Sequence, residues 1–185
     1  MLKKIVAPIF ILAFFSFLVI CTGNISDAGK SQPKGQIGAN AAPKPGKILV
    51  AYFSHSGSTR EIAKQIHEKT GGDIIELQPA TPYPSNYLTL VLQAREERQA
   101  GIKPPLKTKI ENIKDYDRIY LGFPIWGETI PAPITTFLAE YDLTGKTIIP
   151  FCTHGGWGPG QSVAAIAERS PRSTIREILA IEGKM

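Results

Sequence analysis

With 185 residues, 43% of them hydrophobic and 20% charged, the chain is long enough for one domain with a buried core and a leader segment. Its formal charge of +5 includes Lys3 and Lys4, and the remaining excess is too small to argue for a nucleic-acid partner; no basic stripe with interleaved aromatics is present. Cys21 and Cys152 are the two cysteines, so no intramolecular disulfide remains once Cys21 is lipidated or cleaved away.

The first elements in chain order are a leader and a tether. Met1-Leu-Lys-Lys followed by the apolar run Ile5 to Ile20 has the charged start and short hydrophobic stretch of an export signal. Leu18-Val-Ile-Cys21 resembles a lipoprotein signal in which the cysteine becomes the lipidated first residue, although Ile20 stands where a small residue is usual. Cleavage after Ala28 is the rival reading. Residues 1–21 are therefore read as a signal peptide or lipoprotein signal, which places the protein in the periplasm or on the outer face of the cytoplasmic membrane. Residues 22–46 are rich in Gly, Pro, Ala, Ser and Lys and read as a flexible linker. The folded domain spans 47–185.

Within it, an apolar run over Lys47–Ser54 predicts a strand covered on both faces. A helix follows over Thr59–Thr70, stopped by Gly71-Gly72, then a strand over Asp73–Leu77. The second helix is expected over Tyr87–Ala100, with Tyr87, Leu88, Val91, Leu92 and Ala94 inward and Arg95, Glu96, Glu97 and Arg98 as a solvated end. The third strand covers Arg118–Phe123, and Pro131 and Pro133 open a third helix. The fourth strand covers Thr147–Cys152, with Cys152 as a small core residue. A fourth helix turns Val163, Ala164, Ile166 and Ala167 inward, and Ile175–Ile181 supplies a fifth strand. Alternating strands and helices predict right-handed crossovers and a parallel sheet of the α/β class. In such sheets ligands bind beyond the carboxyl ends of the strands, where the loops after strands one, three and four would converge.

Those loops carry the chemistry. Ser54, Ser56, Ser58 and Thr59 crowd hydroxyl donors around Gly57 at a helix start, with no Lys or Arg inside the loop, a pattern suited to a phosphate. His55 lies between them and is expected to face solvent. Trp126 and Trp157 each follow a strand and neighbour glycine, so each could lie flat against a planar ligand. His154 could donate to the edge of that ligand or carry a proton, or could simply be a loop residue. Two other phosphate motifs fail: no G-x-G-x-x-G occurs, and the glycine spacing of Gly122 to Gly127 is followed by Glu128 where a triphosphate loop needs lysine. No metal site and no covalent catalytic residue is expected; a hydrolase built on Ser54 and His154 lacks an acid to orient the histidine.

The run Ser54-His-Ser-Gly-Ser-Thr59 after an apolar strand is similar to the FMN phosphate loop of flavodoxins. Tyr120-Leu-Gly-Phe-Pro-Ile-Trp126, Pro131-Ala-Pro133, Gly145-Lys146 and Pro150-Phe-Cys-Thr-His-Gly-Gly156 extend the resemblance over most of the domain. It implies a flavodoxin-like three-layer sandwich with a parallel five-stranded sheet of order 2-1-3-4-5, the arrangement for which flavodoxin itself is the standard example. It further implies that Ser54, His55, Ser56, Gly57, Ser58 and Thr59 border the FMN phosphate. Pro124, Ile125, Trp126 and Gly127 would lie along one side of the ring, and Thr153, His154, Gly155, Gly156 and Trp157 along the other. The family usually closes with a helix after the fifth strand. None can be read after Ile181, so a truncated chain is expected, with coverage by another subunit as the alternative.

The resemblance implies electron transfer through noncovalently bound FMN, with a redox protein or small electron acceptor as partner and the membrane surface reached through the N-terminal anchor. An NAD(P)H-dependent quinone or flavin reductase is the competing activity. A binding lipoprotein that keeps the fold without redox function is the reading from another class.

Overall fold

The computed structural model describes residues 46–183, so the expectations for the signal segment and for the linker up to residue 45 lie outside the described residues. The apolar run forms β1 over Lys47–Tyr52, and the following helix α1 spans Ser58–Thr70. Then come β2 (Asp73–Glu76), α2 (Tyr87–Ala100), a single 3-10 turn (Ile113–Asp115) and β3 (Tyr116–Pro124). The chain continues with α3 (Ala132–Glu140), β4 (Thr147–His154), α4 (Ser162–Arg169), and the short strands β5 (Thr174–Ile175) and β6 (Leu179–Glu182).

Among the described residues the strands pair in parallel, in the order β2-β1-β3-β4-β5, with β6 also on β4. The expected 2-1-3-4-5 order is thus present. The fifth strand is not the continuous Ile175–Ile181 segment expected, because Thr174–Ile175 pairs with the start of β4 and Leu179–Glu182 with its end, leaving the intervening residues out of the ladder. Among the described residues no helix follows β6, and Leu179 stands 53% exposed.

Side chains alternate across the strands and divide the core into two layers. Leu49, Ala51, Phe53, Ile119, Leu121, Phe123, Ile148 and Cys152 point to the side carrying Ile134 and Phe137 of α3 and Ile166 of α4. Val50, Tyr52 and Phe151 point to the other, where Ala63, Ile62 and Ile66 of α1 cover them. Burial of the Cys152 thiol among apolar neighbours pushes its pKa up to about 11.

Two helical faces differ from expectation. In α2, Tyr87, Leu88, Val91 and Leu92 are exposed, while Leu90 and Glu97 are buried. The helix turns its 90/97 line inward, where Glu97 accepts from Tyr83 in the preceding loop and from Gln93 on the helix itself, and the apolar stripe faces outward. In α4, Ser162 and Ile166 are buried whereas Ala164 and Ala167 are exposed.

Candidate functional site

The loop after β1 is braced from within before it offers anything to a ligand. Ser54 sits one residue past the last core position, and its Oγ accepts from the N–H groups of Gly57 at 3.1 Å and Arg60 at 3.3 Å. That closure needs a left-handed residue at the helix cap, and Gly57 supplies it with φ of 99°. Thr59 is 1% exposed, and its hydroxyl shares a 2.9 Å hydrogen bond with the Thr153 hydroxyl, 94 positions away at the end of β4. The side chains of Ser54 and Thr59 are therefore internal supports.

What remains at the mouth is the start of α1. The N–H groups of Ser58 and Thr59 have no acceptor among the described residues, as befits the first turn of a helix. The hydroxyls of Ser56 and Ser58 lie 3.4 Å apart beside them. Arg60, the first cation past the loop, bonds both carboxylate oxygens of Glu76 through Nη2 and Nε, at 2.6 and 3.3 Å, and that carboxylate raises its pKa, while its Nη1 lies beside Gly57. The cradle therefore attracts an anion by N–H groups, hydroxyls and the helix dipole. His55 is exposed as expected, and its Nε2 donates to the Pro84 carbonyl at 3.1 Å.

The second part of the site forms where β3 and β4 end side by side. Ile125 N–H donates to the Thr153 carbonyl at 2.8 Å, which fixes the two loops against each other. A cavity of about 320 Å³ opens there, lined by Ile125, Gly127, Glu128, His154, Gly155, Trp157 and Gly158. Trp157 is 90% exposed, a large planar surface with almost no protein contact. The Gly156 N–H donates to His154 Nδ1 at 3.1 Å, which leaves Nε2 of a neutral ring as the proton-bearing nitrogen. Pro124 ends β3 and pairs with Thr153, the residue before the end of β4.

Trp126 takes a different position from its neighbours. Its ring lies on the other side of the loop, edge-on to Phe53 at 5.3 Å and to Tyr83 at 5.0 Å between centroids, with His55 at 5.9 Å. Sequence reasoning singled out Trp126 and passed over Glu128, which lines the cavity. Glu128 follows Gly127 in a tight turn closed by the Trp126 N–H donating to the Thr129 carbonyl, with φ of 58° and 65° at the two central residues. Successive left-handed residues are the mark of the primed turns, and a non-glycine residue there is uncommon. The run Trp-Gly-Glu-Thr was the available signal. A larger hollow of about 560 Å³ between residues 139–144 and 169–173 lies away from the converging loops.

Comparison with known proteins bears on this arrangement directly. A family model described as flavodoxin matches residues 47–185. Among solved structures, a candidate flavoprotein from Bacteroides eggerthii is 35% identical, with a TM-score of 0.62 and coverage of 72% of this chain and 87% of that one. A second, from Bacteroides uniformis, is 32% identical, with a TM-score of 0.64 and coverage of 76% and 92%. A flavoprotein from Lactobacillus acidophilus, solved in complex with FMN, is 21% identical with a TM-score of 0.66, covering 73% of this chain and 93% of that one. At that identity the last likeness speaks to the fold. No curated protein matches.

Proposed function

The chain belongs to the flavodoxin family, and from that premise we propose that it holds FMN noncovalently at the carboxyl ends of β1, β3 and β4 and passes electrons through it. The observation that carries this reading is the pairing of an anion cradle of N–H groups and hydroxyls with an open slot, the two joined through Thr59 and Thr153. A ligand with one phosphate end and one planar end suits both at once.

In this reading the N–H groups of Ser58 and Thr59 and the hydroxyls of Ser56 and Ser58 hold the phosphate. The backbone of Ile125 and Gly127 forms one side of the ring site, and Trp157 closes over the other, which removes water from both faces. His154 lines the slot, and in this reading its Nε2–H donates to the ring edge. FMN, when bound, supplies one- and two-electron chemistry, and the protein supplies binding, orientation and electrostatics. The apolar run and cysteine of the leader add an exported, membrane-tethered location to the proposal, with the folded domain at 47–185 beyond a flexible linker.

Protein purified from its own expression host is expected to be yellow with flavin absorbance, or to bind added FMN with quenching of flavin fluorescence. Replacing Ser58 by Glu places a carboxylate where the phosphate would sit. Because an acidic residue in the first turn of a helix favours the helix itself, the fold survives, and FMN affinity is expected to fall at least about 100-fold by like-charge repulsion in a partly buried site. Unchanged affinity in Ser58→Glu would remove α1 as the phosphate site.

A further inference from the structure

Behind the slot stands a second layer of side chains that reaches into α2. Tyr83 meets Trp126 edge-on with one end of its ring and is held at the other, where its hydroxyl donates to Glu97 Oε2 at 2.6 Å. Glu97 is 6% exposed, and its Oε1 accepts from Gln93 Nε2 at 2.9 Å. A buried carboxylate is costly unless its oxygens are paired, and a leucine at position 97 would fill the same space without that cost. One residue on, the Arg98 guanidinium packs so closely under Gly127 that an added Cβ there would collide with Nη1. Ala94, Glu97, Arg98 and Trp126 line one small shared cavity, so the end of α2 abuts the Trp126 turn from beneath.

We propose that Glu97 is a positioning residue for the ring slot: by accepting the Tyr83 hydroxyl it fixes Trp126, and with Trp126 the backbone of Ile125 and Gly127 that walls the slot. Trp126 is the residue between those two wall positions, on the opposite side of the loop, so its seating sets where they stand. Burial and the hydrogen bond to Glu97 both hold the Tyr83 phenol protonated far above its ordinary range, which keeps the hydroxyl a donor at every working pH. The flavin consequence rests on the cofactor reading above, whereas the seating of Trp126 does not.

The test uses the full-length chain and three variants: Glu97→Ala, Glu97→Gln, and Tyr116→Phe. The last removes a hydrogen bond to Asp73 at the far end of β3 and serves as a control for lost stability alone. In flavin-free protein carrying Trp157→Phe, so that Trp126 is the reporter, near-ultraviolet circular dichroism and emission are recorded. Glu97→Ala is expected to lose most of the Trp126 band and shift its emission to the red, while Glu97→Gln, which keeps an acceptor for Tyr83, and Tyr116→Phe keep both signals. With Trp157 restored, FMN titration is expected to show binding about tenfold weaker in Glu97→Ala and near native in Glu97→Gln.

Trp126 signals unchanged in Glu97→Ala would overturn the proposal, as would FMN binding weakened equally by Tyr116→Phe at matched melting temperature. If the native protein binds no FMN, the cofactor reading falls and the spectroscopic arm alone upholds or overturns the role of Glu97. Should Glu97→Ala fail to fold, Glu97→Leu combined with Tyr83→Phe removes the hydrogen bond while stranding no tyrosine hydroxyl and carries the same readouts.

Discussion

Trp126 and Trp157 occupy matching places, each a few residues past the end of neighbouring strands β3 and β4 and each beside glycine, yet their surroundings are opposite. Trp126 is half-buried and ringed by Phe53, Tyr83 and His55. Trp157 is 90% exposed at the edge of the cavity. Apolar surface already covered by protein contributes to folding; apolar surface left open on a binding loop contributes when a ligand covers it. One tryptophan therefore belongs to the packed interior of the loop, and the other is left as open surface at the edge of the cavity.

The contrast can be broken by experiment. Trp126→Ala should lower stability by about 2 kcal/mol, since a half-buried aromatic loses part of the 3–5 kcal/mol range of a core truncation; chemical denaturation with an unchanged m-value would record it. A stability loss no larger than that of a surface change would place Trp126 outside the core. Trp157→Ala should leave stability within about 0.5 kcal/mol of native, as exposed positions do. The same variant should weaken FMN binding about tenfold, the scale of one lost aromatic stacking contact. Equal FMN affinity in native protein and Trp157→Ala would remove Trp157 from the ring site.

The smallest expected effect lies five residues before Trp157, near the buried carboxyl end of β4. Cys152 is fully buried and its thiol is raised to about 11. Folded Cys152 should react with a disulfide reagent at pH 8 only as fast as the protein unfolds. Because the folded value stands above the unfolded one, the associated stability is fully present below about pH 8.5. It is lost as the pH rises through about 11. Replacing Cys152 by Ala should flatten that alkaline loss in denaturation curves taken across the window.

Much of the architecture was readable from residue order. Strand and helix spans followed from apolar runs and their stops, and the parallel order followed from alternation together with the resemblance. The hydroxyl-rich loop after β1, where the start of α1 stands, was legible as a location. Its division of labour was not, since hydroxyls that support the loop and hydroxyls that face a ligand look alike in sequence; only the partnership of Thr59 with Thr153 separates them. The orientation of α2 was misread because Tyr87, Leu88, Val91 and Leu92 form a plausible apolar stripe, whereas the face that packs includes Glu97. Its burial depends on Tyr83, a partner 14 residues earlier in a proline-rich loop that no periodicity reveals. The turn of Trp126 away from the cavity likewise depends on Phe53 and Tyr83, which arrive from other parts of the chain.

The pairing of Arg60 with Glu76 reaches further than the loop it flanks. A site that grips phosphate with lysines or arginines gives up affinity steadily as salt screens them. Here Arg60 is balanced by the carboxylate of Glu76, and the N–H groups at the tip of α1 act over hydrogen-bond distances. Such a grip depends on local geometry more than on net charge, so affinity of this loop for an anion should fall less steeply with added salt than that of a lysine-lined site, although the helix contribution is itself screened.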